Sequence, residues 1–235
     1  MEELLQFLSL SVPIKFKNVF GFDVSEKMLK FARENYGNDV TKFHQFDINQ
    51  MEYFSNDLLL EKCGIKYQSA DIVTSFLCLQ WIKDLKKAFY YIGKLIKPGG
   101  FLVMNMAKNV PALTEAYIEV SQREKYLQFK SDAKVPIFSL KDVEDPCRML
   151  NELLKDANFD VKFLECVALS KDFENRSNFH DMIKSVYTLS PRMSKEMQNE
   201  FYIDLFDCME TSIDQSNGGY VFSYDYLYLI AVKND

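Results

Sequence analysis

Val19-Phe20-Gly21-Phe22-Asp23-Val24-Ser25-Glu26-Lys27-Met28-Leu29 decides the fold. Residues 17–24 predict a short buried strand that ends on an acid. Ser25 is placed to cap a helix, because its hydroxyl accepts from a free N–H of the first turn, and Glu26 suits the positive end of the helix dipole. Met28, Phe31, Ala32 and Tyr36 share one face of that helix and are expected to turn inward. Gly37-Asn38 then stops it.

The flanking sequence continues the pattern. Residues 40–48 predict a second strand, with Val40, Phe43, Phe46 and Ile48 apolar and Asp47 at its end. Ala70-Asp71-Ile72-Val73-Thr74-Ser75-Phe76-Leu77-Cys78-Leu79 is nearly continuous and apolar, as expected of a strand covered on both faces. Asp84 opens a helix through Ile96, with Leu85, Ala88, Phe89, Ile92, Leu95 and Ile96 inward, and Lys97-Pro98-Gly99-Gly100 ends it in a tight turn. Phe101–Met106 reads as the fourth strand. Strand, helix, strand, strand, helix, strand is the alternation of an α/β fold with a mainly parallel sheet.

The second half predicts a helix over 112–129 and another opened by Asp145-Pro146, with Met149, Leu150, Leu153, Leu154 and Ala157 apolar and Asn158 as its C-cap. A strand over 159–169, helices over 175–188 and 192–212, and a long aromatic strand from Tyr220 to Val232 follow. The last strand comes after the turn Ser216-Asn217-Gly218-Gly219, and the final two strands read as an antiparallel closing edge. The whole chain is read as one domain over 1–235. Its cofactor-binding half covers 1–106, and the helical insertions on the substrate side with the closing strands cover 107–235.

Composition narrows the class. In 235 residues, 28 Lys+Arg stand against 34 Asp+Glu, a net charge of −6, so neither nucleic acid nor an anionic bilayer is the expected partner. Met1-Glu2-Glu3 lacks the basic start of a signal peptide, and Leu4, Leu5, Phe7, Leu8 and Leu10 read as an amphipathic helix over residues 2–10. No apolar run is long enough for a membrane span. Five widely spaced cysteines, with no C-x-x-C, predict neither a disulfide framework nor a zinc site, and a reducing cytosol is the expected compartment. His44 and His180 share no metal-ligand spacing, and each is expected to be a satisfied or surface histidine. No catalytic residue and no metal ligand is assigned from the sequence.

The string Val19–Leu29 resembles the second strand and following helix of class I S-adenosylmethionine-dependent methyltransferases. Three further segments agree with that family in order and spacing: Phe46-Asp47-Ile48, Ala70-Asp71-Ile72-Val73-Thr74-Ser75-Phe76, and Leu95-Ile96-Lys97-Pro98-Gly99-Gly100-Phe101-Leu102. The run Ser75-Phe76-Leu77-Cys78-Leu79-Gln80-Trp81-Ile82-Lys83-Asp84 resembles more narrowly the arthropod juvenile hormone acid methyltransferases, in which Cys-Leu-His-Trp is typical. The resemblance implies a Rossmann-like sheet, mostly parallel with an antiparallel last strand, and S-adenosylmethionine as cofactor. It implies transfer of a methyl group to the carboxylate of an isoprenoid or fatty-acid-like molecule.

Site residues follow from the same resemblance. Asp23 is placed to hold both ribose hydroxyls, with Val24 beside it, and Asp47 to meet the adenine amino group, with Ile48 beside it. Ser75 and Phe76 lie over the centre of the cleft. The Trp81 indole N–H is placed to donate to a substrate carboxylate while its ring walls an apolar pocket. Gln80 stands where the narrower family has His, which removes an acid/base group at that point. Carboxylate methylation needs little such help, because the nucleophile is ionised at neutral pH and alignment does most of the work.

A nucleotide-type cofactor also requires a glycine-rich turn about 20 residues before the ribose-binding acid. This chain has eight glycines and none before Gly21. The family's first motif, Asp/Glu-x-Gly-x-Gly-x-Gly, is absent together with its strand, so the chain is expected to lack the first strand and to bind the cofactor more weakly. In the family that strand lies mid-sheet, and its loss is expected to leave two strand edges that either close on each other or stay open to self-association or another chain. The alternatives to an active methyltransferase are therefore a non-catalytic form that binds other proteins, or an incomplete gene model of an active enzyme.

Overall fold

The structure, a computed structural model, describes residues 15–49, 63–132, 138–187, 189–211, 213 and 220–235. The expected helix over 2–10 and the turn Ser216–Gly219 lie outside the described residues. Val19–Asp23 forms β1, and Ser25 caps α1 (Glu26–Tyr36) by accepting the Met28 N–H at 3.4 Å. Gly37 closes the helix, its N–H donating to Arg33 O. β2 (Thr41–Gln45) then lies parallel to β1, with Gly21 opposite Phe43. Any Cβ at position 21 would sit 2.4 Å from the Phe43 ring, so only glycine allows that approach.

α1 departs from the expected orientation. Leu29 is its buried residue, whereas Met28, Phe31 and Tyr36 are each more than half exposed. Two strands offer little apolar surface, and the row around Leu29 suffices to cover it. β1 is likewise only half-buried, not a core strand.

β3 (Ala70–Phe76) pairs in parallel with β4 (Ile96–Asn109). Between them runs α2 (Leu85–Leu95), whose N-terminus is capped by Asp84 accepting the Lys87 N–H at 2.9 Å. The ladder already begins at Ile96 opposite Ala70 and resumes at Phe101 opposite Ile72. Lys97–Gly100 therefore bulges out of the strand where a free turn was expected, and Gly99 takes the positive φ of 75° that this requires.

Pro111–Ser121 is α3, and the expected single helix over 112–129 breaks there. A 3-10 segment, Glu124–Asp132, follows it. The Gln122 and Arg123 N–H groups turn back to Glu119 and Val120 carbonyls, which closes α3 by local bonds that no breaker residue announces. α4 (Pro146–Asp156) starts on Asp145, with Pro146 at its first position, and Asn158 just beyond it takes φ 64°, the left-handed stop expected of a capping Asn. β5 (Phe159–Phe173), α5 (Arg176–Val186), α6 (Lys195–Glu210) and β6 (Tyr220–Lys233) complete the chain.

Strand order is β1-β2 in one sheet and β3-β4-β6-β5 in a second. Only β6 runs against its neighbours, pairing antiparallel with both β4 and β5. Among the described residues β1 and β3 share no ladder, so the two edges do not close on each other. One core packs Leu102, Met104, Leu227 and Leu229 of the larger sheet against Phe89 and Ile92 of α2 and Leu150 and Leu154 of α4. The other joins α3, α5 and α6 around Tyr126, Phe179, Phe201 and Phe206. The aromatic residues after position 110 that belong to this second cluster are thus packed core.

Candidate active site at the strand ends

In an open α/β sheet the ligand crevice lies beyond the carboxyl ends of the strands. Here the ends of β1 and β2 are tied together. Asp23 closes β1: its Oδ1 accepts the Ser25 N–H at 2.7 Å and its main-chain oxygen accepts the Phe46 N–H at 2.9 Å. Gln45, at the end of β2, donates from Nε2 to Val24 O at 3.0 Å. Asp47 lies just beyond β2, half-buried, with Oδ1 accepting the Asn49 N–H at 2.9 Å and the Asn49 side-chain amide at 3.2 Å. Ile48 packs against the core of the larger sheet, which anchors the end of β2 there.

At the end of β3 the chain turns sharply. Leu77 adopts φ 51° and donates its N–H at 3.2 Å to both the main-chain and the side-chain oxygen of Asn105. A left-handed leucine is strained, and such strain persists only where its surroundings enforce it. Cys78 follows, and burial pushes its thiol pKa up, with the negative charges of Asp23 and Asp47 adding to the shift. The two acids of the small sheet therefore lie within electrostatic reach of the end of β3.

Leu79–Trp81 forms a short 3-10 turn, with Gln80 6% exposed and Trp81 half-buried. Its Gln80 carbonyl accepts the N–H of Phe138 at 3.0 Å, and Phe138 takes a strained φ of 46°. Gln80 Oε1 and Ser139 Oγ are inaccessible to solvent and have no hydrogen-bond partner among the described residues. Ser75 Oγ is likewise buried without a partner of good geometry, its polar contact being a weak one with the Cys78 thiol. Each such group costs about 1–3 kcal/mol relative to a bonded one, so a molecule that completed them would be favoured.

The sequence-derived residues thus divide. Asp23, Asp47 and Ser75 come to the shared strand-end region, with Gln80 in the turn that follows, and Phe76 pairs with Asn105 in the ladder beneath it. Val24 is exposed, at 49% of its full area. Cys78, Ser139 and Asn105 went unassigned, and no spacing or motif singles out Ser139. The expectation for His44 is corrected: it is half-buried between the rings of Phe20 and Phe22, with Nε2 unpartnered among the described residues. His180 is satisfied, bonded to Glu210 at 3.2 Å and stacked on Phe206 at 3.6 Å.

A shallow recess of about 260 Å³ lies between α2 and α4, lined by Asp84, Lys86, Lys87, Tyr90, Leu153, Asp156 and Ala157. None of the strand-end residues lines it. Among the described residues no group of His, Cys, Asp or Glu is arranged to hold a metal ion, and no helix is long and apolar enough to cross a membrane.

Residues 5–104 match the family model described as a methyltransferase domain. The chain is 26% identical over 234 residues to the juvenile hormone acid O-methyltransferase of Drosophila melanogaster, covering 97% of this chain and 75% of that protein. Identity to the Bombyx mori juvenile hormone acid O-methyltransferase is also 26%, over 201 residues, 85% of this chain and 67% of that one. In fold, a solved Bacillus halodurans protein superposes with a TM-score of 0.54 at 18% identity, over 93% of this chain and 84% of the other.

The family resemblance implies S-adenosylmethionine as cofactor, and two acids at the strand ends are the residues that would meet its nucleoside half. An exposed carboxylate ends β1 with Oδ2 outside the Ser25 bond, and a second acid follows β2. The stretch where the glycine-rich turn was expected lies outside the described residues.

Proposed function

We propose that this chain transfers a methyl group to the carboxylate of a small apolar acid. The observation that carries the reading is the set of buried, unpartnered polar side chains at the end of β3, beside the two strand-end acids. The names of the two insect relatives support a carboxylate as acceptor. Bound S-adenosylmethionine supplies an electrophilic methyl on a sulfonium: a carboxylate oxygen forms the new bond to carbon while the carbon–sulfur bond breaks and S-adenosylhomocysteine leaves.

This chain's residues supply position. Asp23 takes the ribose hydroxyls and Asp47 the adenine amino group, which fixes the nucleoside at the ends of β1 and β2. Trp81 donates from its indole to the acceptor carboxylate, and Ser75 and Phe76 shape the floor between the two. No general base is required, because a carboxylate is already ionised at neutral pH. Orientation in a water-poor site accounts for the acceleration.

Calorimetric titration with S-adenosylmethionine tests the reading. Micromolar binding that disappears in Asp23→Ala supports it, and absence of binding at millimolar cofactor overturns it. A second reading, a non-catalytic protein that binds partners through its sheet edges, is favoured by the absence, among the described residues, of a ladder between β1 and β3. A clean monomer in light scattering that binds cofactor and recovers no partner removes it.

A further inference from the structure

We propose that Cys147 and Cys166 form a modification site, a thiol pair that a small disulfide oxidises to one bond between the first turn of α4 and strand β5. The site shares no residue with the strand ends and does not depend on the methylation reading above. Register fixes the direction of Cys166. Leu227 and Leu229 of β6 are buried in the core beneath α4, and Cys166 and Leu164 stand opposite them in the β5 ladder, so both point to that face. Val161, opposite Ala231, points there too. The bulge between Val161 and Phe163 shifts the alternation by one residue, and without it Cys166 would turn away from α4. On the helix, Cys147 shares a stripe with the buried Leu150 and Leu154 and packs against the same core. Its sulfur lies close enough to Cys166 to take a main-chain hydrogen bond from that residue and to sense its thiol. Both cysteines are free, Cys147 half-buried and Cys166 exposed.

Burial pushes both thiols up, and local charge adds to it. Cys166, Asp145 and Glu165 raise Cys147 further, while Asp225 raises Cys166 and Lys108 opposes it there. Both thiols are therefore protonated at neutral pH and exchange slowly, although a thiolate of high pKa is the stronger nucleophile once formed. The exposed Cys166 thiolate attacks one sulfur of the small disulfide, which releases one thiolate and leaves a mixed disulfide on Cys166. The Cys147 thiolate then attacks the Cys166 sulfur, forming the Cys147–Cys166 bond and releasing the second thiolate. The pair gives up two protons and two electrons, and the small disulfide leaves as two thiols. Among the described residues β5 has β6 as its one strand neighbour, so the bond ties α4 to a sheet edge.

The probe is oxidised glutathione, added in excess to the full chain at a pH of about 8.5, near the free-thiol value. Peptide mass spectrometry without reductant is expected to find Cys147 joined to Cys166. The oxidised protein is expected to melt about 5–10 °C higher, the gain of closing a loop of about 20 residues in a chain of this size, and dithiothreitol is expected to reverse it. Cys147→Ser and Cys166→Ser are expected to melt close to reduced wild type, which shows them folded, and to gain nothing on oxidation. Cys147→Ser is expected to retain one glutathione on Cys166. Separate glutathione adducts on the two cysteines of wild type overturn the pairing, and so does a lack of reaction at both. A Cys147–Cys166 bond that leaves the melting temperature unchanged overturns the attachment of α4 to β5.

Discussion

The Asp23 carboxylate raises the pKa of the Cys78 thiol, although the two residues belong to sheets that share no ladder among the described residues. Burial is the larger cause of the shift, and Asp47 contributes as well. The end of β3 therefore lies within electrostatic reach of Asp23 and Asp47, although among the described residues the strands are not hydrogen-bonded into one sheet.

That convergence is testable through the thiol. Only the thiolate is alkylated, so the rate at a fixed alkaline pH follows the thiol pKa. Removing a neighbouring negative charge favours the thiolate, so Asp23→Asn is expected to alkylate faster at Cys78 with iodoacetamide at pH 8.5–9, a range about the free-thiol value. Asp47→Asn is expected to accelerate it less. Peptide mass spectrometry reads the rate at Cys78 alone, and equal rates in all three proteins would mean that neither acid reaches the thiol.

Trp81 separates the acceptor from the cofactor. Its indole N–H donates only to the acceptor in the proposed arrangement, so Trp81→Phe removes one donor and keeps most of the ring. The expected outcome is a rise of about tenfold in KM for the acid with KM for S-adenosylmethionine within about twofold of wild type. Equal weakening of both would make Trp81 a packing residue.

Much of the fold is legible because local chemistry and tertiary structure agree. Ser25, Asp84, Asp145, Asn175 and Ser194 each cap a helix with their side chains. The exposed face of α1 was not legible: periodicity shows that Met28, Phe31 and Tyr36 share a face, and says nothing about what is available to cover it. The break after Ser121 was equally hidden, since Gln122-Arg123-Glu124 contains no breaker. Of the candidate site, Asp23, Asp47 and Ser75 are legible as residues at or near strand ends, whereas the contact of the Phe138 N–H with the Gln80 carbonyl, 58 positions away in the chain, leaves no mark in the sequence.

The bulge between β3 and β4 contains two glycines with different requirements. Gly99 has open space around it and φ 75°, so Gly99→Ala pays only the left-handed backbone cost, about 1–2 kcal/mol. A Cβ at Gly100 would lie 2.7 Å from the Ile96 side chain, 2.9 Å from Asp71 O and 3.0 Å from Lys97 O. Two of those atoms are backbone, so Gly100→Ala forces β3 and β4 apart and is expected to cost about 1–3 kcal/mol. Urea unfolding of both variants, with near-native far-ultraviolet spectra, measures the two costs. Substitution at Gly100 without loss of stability would contradict the parallel register of Asp71 against this turn.

The contact between the 3-10 segment and α6 predicts how stability varies with pH. Asp204 accepts the Tyr126 hydroxyl at 2.8 Å and pairs with Lys125 at 2.9 Å and Arg123 at 3.0 Å. Burial alone would raise the Asp204 pKa, but the hydrogen bonds from Lys125 and Tyr126 and the charges of Lys125 and Arg123 outweigh it and hold the carboxyl low. For Tyr126, burial and then the Asp204 hydrogen bond push the phenol up to about 12. A depressed acid gives its full stabilisation above the unfolded-state value, about 4, and loses it as pH falls through the folded value. A raised phenol gives its full stabilisation below about 10, the unfolded value, and loses it as pH rises toward its folded one. Unfolding free energy measured across pH should therefore decline below about 4 and again above about 10 from this cluster. Tyr126→Phe is expected to cost about 1.5–3 kcal/mol at neutral pH, the value of a hydrogen bond to a charged group, and to remove the alkaline decline that Tyr126 contributes. Asp204→Asn is expected to remove this cluster's share of the acid decline and to shrink the alkaline one, because the neutral amide no longer opposes ionisation of the phenol. A Tyr126→Phe profile that parallels wild type above pH 10 would show that the phenol ionises as readily folded as unfolded, against the buried contact with Asp204.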